Sequence, residues 1–144
     1  MLNLIETQSE LETYFKNIEM FDYYIEVIPL NQKKHPSQTD PILYIIRNLN
    51  TNQDYAYSVG HPDCIVNCFD SIKKKIQKMR RVFVSDKKNF FHLNNFEFQN
   101  VIDISLLSYY TNNSNNFNLD TRISKDNRSI PLMKIYQLFK SMIN

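Results

Sequence analysis

Glu26 is the one acid inside the most strand-like run of the chain, the D-Y-Y-I-E-V-I-P-L stretch from Asp22 to Leu30. β-Branched and aromatic residues suit a pleated strand. Alternation puts Tyr24, Glu26 and Ile28 on one face and Tyr23, Ile25 and Val27 on the other. Both faces are largely apolar, the signature of a central strand covered on two sides. A carboxylate there is either paired in a site or stands where the strand emerges into solvent. Asp103, in V-I-D-I-S, would join Glu26 in general acid–base work if their strands were adjacent. A structural acid is the commoner outcome for such a residue.

A second constellation is basic. Residues 73–88 carry eight of the 17 Lys and Arg side chains (Lys73, Lys74, Lys75, Lys78, Arg80, Arg81, Lys87 and Lys88) and one acid, Asp86. Such a cluster could contact the backbone of DNA or RNA, or an acidic protein. A solvated helix face is the commoner explanation, because the formal net charge is only +2. His61, Asp63, Cys64 and Cys68 have donor types that suit zinc, yet structural zinc draws on two separated ligand pairs and no second pair exists. A helix cap and small core residues account for them better. Cys64 or Cys68 could act as a nucleophile with His35, His61 or His92, but no orienting group or glycine-rich oxyanion turn accompanies them. The Phe and Tyr residues of 90–110 could stack bases; their placement in apolar runs favours core packing.

Composition narrows the classes. With 144 residues, 42% hydrophobic and 22% charged, the chain reads as one globular domain. Ten Phe and nine Tyr argue for a packed core. No apolar run approaches about 18 residues, so no membrane span is expected. The N-terminus lacks the pattern of a signal peptide, and the two cysteines read as reduced, so an intracellular, cytoplasmic protein is expected. The single glycine, Gly60, rules out phosphate-cradling and dinucleotide loops, which need two or three. Asparagines can take over the left-handed turn positions. The Asn-, Ile- and Lys-rich composition suggests an AT-rich genome of viral or organellar origin.

The elements follow in order. Residues 2–5 form a short strand. A helix over about 9–20 follows, with Ser9 and Glu12 as its capping box and Thr7 with Glu10 as the competing register. The central strand ends at Pro29, and 31–41 is a loop. Strands at 42–47 and 55–59 are joined by a turn at Asn-Thr-Asn-Gln. Asp63 offers an N-cap to a long helix whose Ile65, Phe69, Ile72, Ile76 and Met79 make one apolar stripe. A strand at 82–84, a turn or helix at 86–93, a core segment at 101–110 and a helix at 130–143 complete the chain. The helix at 130–143 has Pro131 in its first turn. This order makes an α/β domain with a mixed sheet.

Four segments carry a resemblance, in this order: N-L-I-E-T-Q-S-E-L-E-T-Y-F, D-Y-A-Y-S-V-G-H-P-D, R-V-F-V-S-D-K-K-N-F-F-H-L and V-I-D-I-S-L-L-S-Y-Y. The set covers about residues 2–125 and resembles the 3′–5′ exonuclease domain of family A (bacterial polymerase I-like) DNA polymerases. That implies a ribonuclease H-like fold: a three-strand antiparallel meander plus parallel strands, flanked by helices, in a single domain over 1–144. Residues 111–129 are expected to be a mobile polar loop.

Such exonucleases hold two metal ions with four carboxylates, which activate water and stabilise the leaving oxygen. Placing the leucine of the first motif on Leu30 puts its Glu on Glu26 and its Asp on Tyr24. In the second motif the Asn falls on Asp86, the Lys on Lys88 and the metal-binding Asp on Phe90. Asp103 matches a supporting aspartate. The third motif, Y-x-x-x-D, meets Tyr136 followed by Lys140. Hard cations need several oxygen ligands, so Glu26 alone is not expected to hold a metal pair. The resemblance therefore implies a degenerate exonuclease that serves as an accessory or structural subunit beside a protein partner. No cofactor is expected; Mg²⁺ or Mn²⁺ would enter only if a rearranged site were active. The alternative is a nucleic-acid-binding module built on the 73–88 cluster.

Overall fold

Strand β2 (Asp22–Pro29) is buried along nearly its whole length and organises a six-stranded mixed sheet. The computed structural model describes residues 1–32, 34–104 and 126–143. The sheet adds β1 (Leu2–Ile5), β3 (Pro41–Asn48), β4 (Asp54–Ser58), β5 (Arg81–Val84) and β6 (Val101–Asp103), in the order β1-β4-β3-β2-β5-β6. β2, β3 and β4 form the expected antiparallel meander, while β5 and β6 run parallel to β2 and β1 parallel to β4.

Four helices flank the sheet among the described residues: α1 (Gln8–Tyr14), α2 (Phe69–Lys78), α3 (Lys87–Asn94) and α4 (Leu132–Ile143). One face buries Tyr23, Ile25 and Val27 of β2 against Leu11, Ile72, Ile76 and Phe90 of α1–α3. The other buries Tyr24 and Ile28 against Leu132, Ile135 and Phe139 of α4. The alternation read along the strand is thus the partition of the core. No helix among the described residues is long and apolar enough to cross a membrane.

Several boundaries differ from expectation, each for a local reason. The cap of α1 is Thr7, whose hydroxyl accepts from the Glu10 N–H while Glu10 reaches back to the N–H of Glu6. The Thr7 register therefore prevails over Ser9. The helix stops at Phe15 instead of running to 20, because Asn17 adopts a left-handed φ of 59° and a 3₁₀ turn, Ile18–Met20, follows. Asn52 and Asn95 also take positive φ among the described residues, as expected of asparagines in a chain with one glycine.

The expected helix from Asp63 begins only at Phe69. Val66 bridges to Ser58, and the Asn67 N–H bonds the Ser58 carbonyl, so 61–68 is drawn alongside the end of β4. Ile65, expected in the apolar stripe, is 57% exposed. Of the 101–110 segment, Val101–Asp103 is a strand and 105–110 lie outside the described residues. The expected loop at 111–129 lies outside them as far as 125. Asn127–Ser129 form a 3₁₀ turn in which Asn127 is fully buried.

Helix α4 is fastened to the sheet by polar contacts as well as by its apolar side. Asp54 on β4 is buried and accepts both Nε and Nη2 of its cross-strand partner Arg47, at 2.7 and 2.9 Å. It also accepts the Tyr136 hydroxyl of α4 at 2.6 Å. Removing one partner of a buried pair leaves the other uncompensated, at about 3 kcal/mol. Asp54→Ala is therefore expected to lower the unfolding free energy by about that amount in urea titrations. Tyr136→Phe, which deletes one bond to a charged acceptor, should cost about half as much, about 1.5 kcal/mol.

Candidate functional site at the carboxyl end of the central strand

β2 is the switch point of the sheet: the chain continues to β3 on one side, and a parallel neighbour, β5, lies on the other. In open α/β sheets the crevice at the carboxyl ends of strands flanking such a point is where ligands bind. A cleft of about 290 Å³ opens there, lined by residues including Glu26, Gln32, Ser85, Asp86, Asn89 and Phe90. Asn127 braces its rim, donating its side-chain amide to the Pro29 carbonyl and to Gln32 while its N–H bonds the Leu30 carbonyl.

Glu26 is buried, with 7% exposure. Its Oε1 accepts the Tyr24 hydroxyl from the same strand face at 2.6 Å, and Ser85 supplies a further side-chain hydrogen bond. Burial pushes the carboxyl up to about 7, against those two hydrogen bonds, and the nearby Asp86 charge adds to the rise. Burial and the Glu26 carboxylate together hold the Tyr24 phenol well above its usual range. The group is thus a carboxyl poised near neutrality, with its proton donors fixed beside it.

Of the other motif positions, Asp86 and Phe90 line the same cleft, but neither turns a free carboxylate toward Glu26. Asp86 is the N-cap of α3, accepting from the Asn89 N–H at 3.0 Å. Phe90 is buried on the opposite side of the sheet from Tyr24 and packs on Phe98 at 5.4 Å between ring centroids. Tyr136 turns to Asp54, and Lys140 lies over its ring.

The condition for Glu26 to work with Asp103 is not met: β5 lies between β2 and β6, which separates the two acids by two strand spacings, roughly 10 Å. Asp103 instead accepts the Lys87 N–H at 3.0 Å. Among the described residues no three His, Cys, Asp or Glu side chains are grouped to hold a metal ion. The donor set of the cleft, Glu26 already bonded to a phenol and a serine and Asp86 engaged in capping α3, does not fit a pair of hard cations. Ser85, Asn89 and Gln32 were not singled out from the sequence. Their only signal is a polar run directly after an apolar strand.

The histidine and cysteine readings separate as well. His61 is fully buried; its Nδ1 accepts the Asp63 N–H, so its Nε2–H donates to the Ile130 carbonyl at 2.8 Å. Asp63 accepts the Leu132 N–H at the start of α4. Both residues therefore tie the 61–68 segment to α4. Cys64 is buried, and burial pushes its thiol up; Cys68 is exposed at the start of α2. His35 and His92 pack on each other, with ring centroids 5.1 Å apart.

The basic cluster divides. Arg80 and Arg81 each direct Nε and Nη2 at the Asp22 carboxylate, and Lys75 pairs with Glu12 at 2.7 Å. These three are ion-paired within the fold, and the Arg80 and Arg81 side chains stay 46% and 54% exposed. Lys73 and Lys87 lie over aromatic rings, and Lys74, Lys78 and Lys88 are exposed.

No protein-family model and no curated protein sequence matches the chain. Solved structures do. The catalytic core of RRP6 from Trypanosoma brucei superposes with a TM-score of 0.57 at 11% identity, over 97% of this chain and 43% of that one. RNase D from the same organism, solved with GMP, gives 0.56 at 11% identity over 78% of this chain and 35% of that one. NrnC from Brucella melitensis, solved with Mg²⁺, gives 0.51 at 11% identity over 98% and 71%. The fold is that of the ribonuclease H-like exonucleases. These neighbours support the exonuclease fold expected from the four segments, without singling out the polymerase domain. The chain spans less than half the length of the RNase D and RRP6 structures.

Two acids of this sheet titrate in opposite senses. The Glu26 carboxyl is raised on folding, so between about 4.3 and about 7 the unfolded chain has lost a proton that the folded one keeps. Stability falls as pH rises across that window. Glu26→Gln removes the slope, and its stability relative to the parent should improve by on the order of 3 kcal/mol from about pH 4 to about pH 8. Asp22 is held well below the ordinary carboxylate range by the Arg81 and Arg80 hydrogen bonds. Its contribution is present above about pH 4 and lost on acidification. Asp22→Asn should lower stability at neutral pH and flatten the acid limb of the stability profile.

Proposed function

We propose that this chain is an exonuclease fold without two-metal chemistry, serving as an accessory or structural subunit in a nucleic-acid-handling assembly. Replication, transcription and virion assemblies are the settings in which such a module would work beside a protein partner. One observation carries the reading: the two places where the resemblance requires metal-binding aspartates hold Tyr24 and Phe90, and both side chains are committed elsewhere. The Tyr24 hydroxyl is bonded to Glu26, and the Phe90 ring is packed against Phe98.

A structural neighbour with the same fold was solved with Mg²⁺. Octahedral Mg²⁺ is held through carboxylates and water, and it dehydrates reluctantly. In this chain the cleft offers Glu26 already hydrogen-bonded and biased toward its protonated form, which weakens it as a ligand. What remains useful in the cleft is recognition: a protonated or ionised carboxyl, a serine hydroxyl and two side-chain amides, Asn89 and Gln32, around a concave opening.

The test is nucleotide release from end-labelled single-stranded DNA and RNA in the presence of Mg²⁺ or Mn²⁺. The expected result is no release above a metal-free control. Metal-dependent release that disappears in Glu26→Gln would overturn the proposal in favour of an active, rearranged site.

A further inference from the structure

A basic and aromatic strip runs across α2, α3 and the turn that follows them, apart from the Glu26 cleft. Lys73 Nζ lies 5.0 Å from the centroid of the Phe69 ring and 5.8 Å from that of Phe96. Phe96 meets Phe98 edge-on at 4.8 Å, Phe98 meets Phe91 at 6.2 Å, and Lys87 Nζ stands 5.4 Å from the Phe91 centroid. The contacts form one continuous path from Lys73 to Lys87.

The members are not equally buried. Phe98 is a core residue at 3% exposure, whereas Phe96 leaves 39% of its surface to solvent. The backbone at Phe96 is needed to close α3, since its N–H bonds the Phe91 carbonyl after the left-handed Asn95. That requirement concerns the peptide and would be met by any side chain. A large aromatic held half in water, with a lysine resting over its ring, needs another account.

We propose that this strip binds single-stranded nucleic acid, with Phe96 stacking a base and Lys73 and Lys87 contacting the flanking phosphates. Aromatic faces accept any base, because every base presents a π-face. In the free protein each ring holds the ammonium group as a cation–π pair. On binding, a base takes the ring face and the lysine moves to the phosphate beside it. Lys74 and Lys88, both exposed, extend the positive charge at either end. The acids nearby in the chain are Asp70, in the first turn of α2, Asp86, which caps α3, and Glu97. The surplus of cations is therefore small, and stacking carries most of the affinity. This proposal does not depend on whether the cleft is catalytically silent.

The experiment is fluorescence anisotropy with labelled single strands of about 12 nucleotides, DNA and RNA in separate titrations, in EDTA at low salt. Both strands should bind, and the slope of log K against log salt should be about −1.4, for two phosphates at about −0.7 each. Phe96→Ala should weaken binding about 5- to 150-fold, the range for loss of one stacked base, while Phe96→Trp retains it. Lys73→Gln with Lys87→Gln should abolish most of the salt dependence. Thermal melts establish that each variant is folded. Equal affinity for a duplex or for heparin would overturn the proposal, as would a folded Phe96→Ala that binds like the parent, since either marks generic polyanion attraction.

Discussion

β2 is covered on both faces, and every polar group placed on it must therefore find its partner inside the protein. The consequences run through the whole sheet. At its start, Asp22 is neutralised by two arginines from the turn into β5. At its end, Glu26 lies against Tyr24 and Ser85 and is pushed toward protonation. The first pairing aligns β5 with β2; the second shapes the floor of the cleft. A single strand thus sets both the register of its neighbour and the chemistry of the buried acid in the cleft.

The same rule explains how α4 is held. Its apolar side covers Tyr24, Ile28 and Ile45, but apolar packing alone would leave its rotation loosely specified. Asp54, joined to Arg47 and Tyr136, and the His61 and Asp63 contacts to Ile130 and Leu132 tie it at separate points. The tyrosine of α4 thus serves the sheet, through its bond to Asp54.

Much of the architecture was legible because it depends on periodicity. The alternation along β2, the meander, the helical stripe of Ile72, Ile76 and Met79, and the asparagine turns all follow from near neighbours in the chain. The misses come from contacts that are distant in sequence. The helix expected after Asp63 begins only at Phe69 because Val66 and Asn67 are drawn to Ser58. The ion pairs of Lys75, Arg80 and Arg81 were not legible because their acids, Glu12 and Asp22, lie more than fifty residues earlier. The Phe residues after 90 all looked like core, and only packing separates the buried Phe98 from the half-exposed Phe96.

Sequence alone determined most of the chain's elements, the two-sided burial of β2 and the absence of glycine-dependent phosphate loops. Those features follow from side-chain type and local spacing. Tertiary structure alone decided that β5 separates Glu26 from Asp103, that Arg80 and Arg81 are tied to Asp22, and that Lys73 and Lys87 lie along an aromatic strip. Strand order and ion pairing are set by which distant surfaces bury together, and no window of the sequence contains both partners.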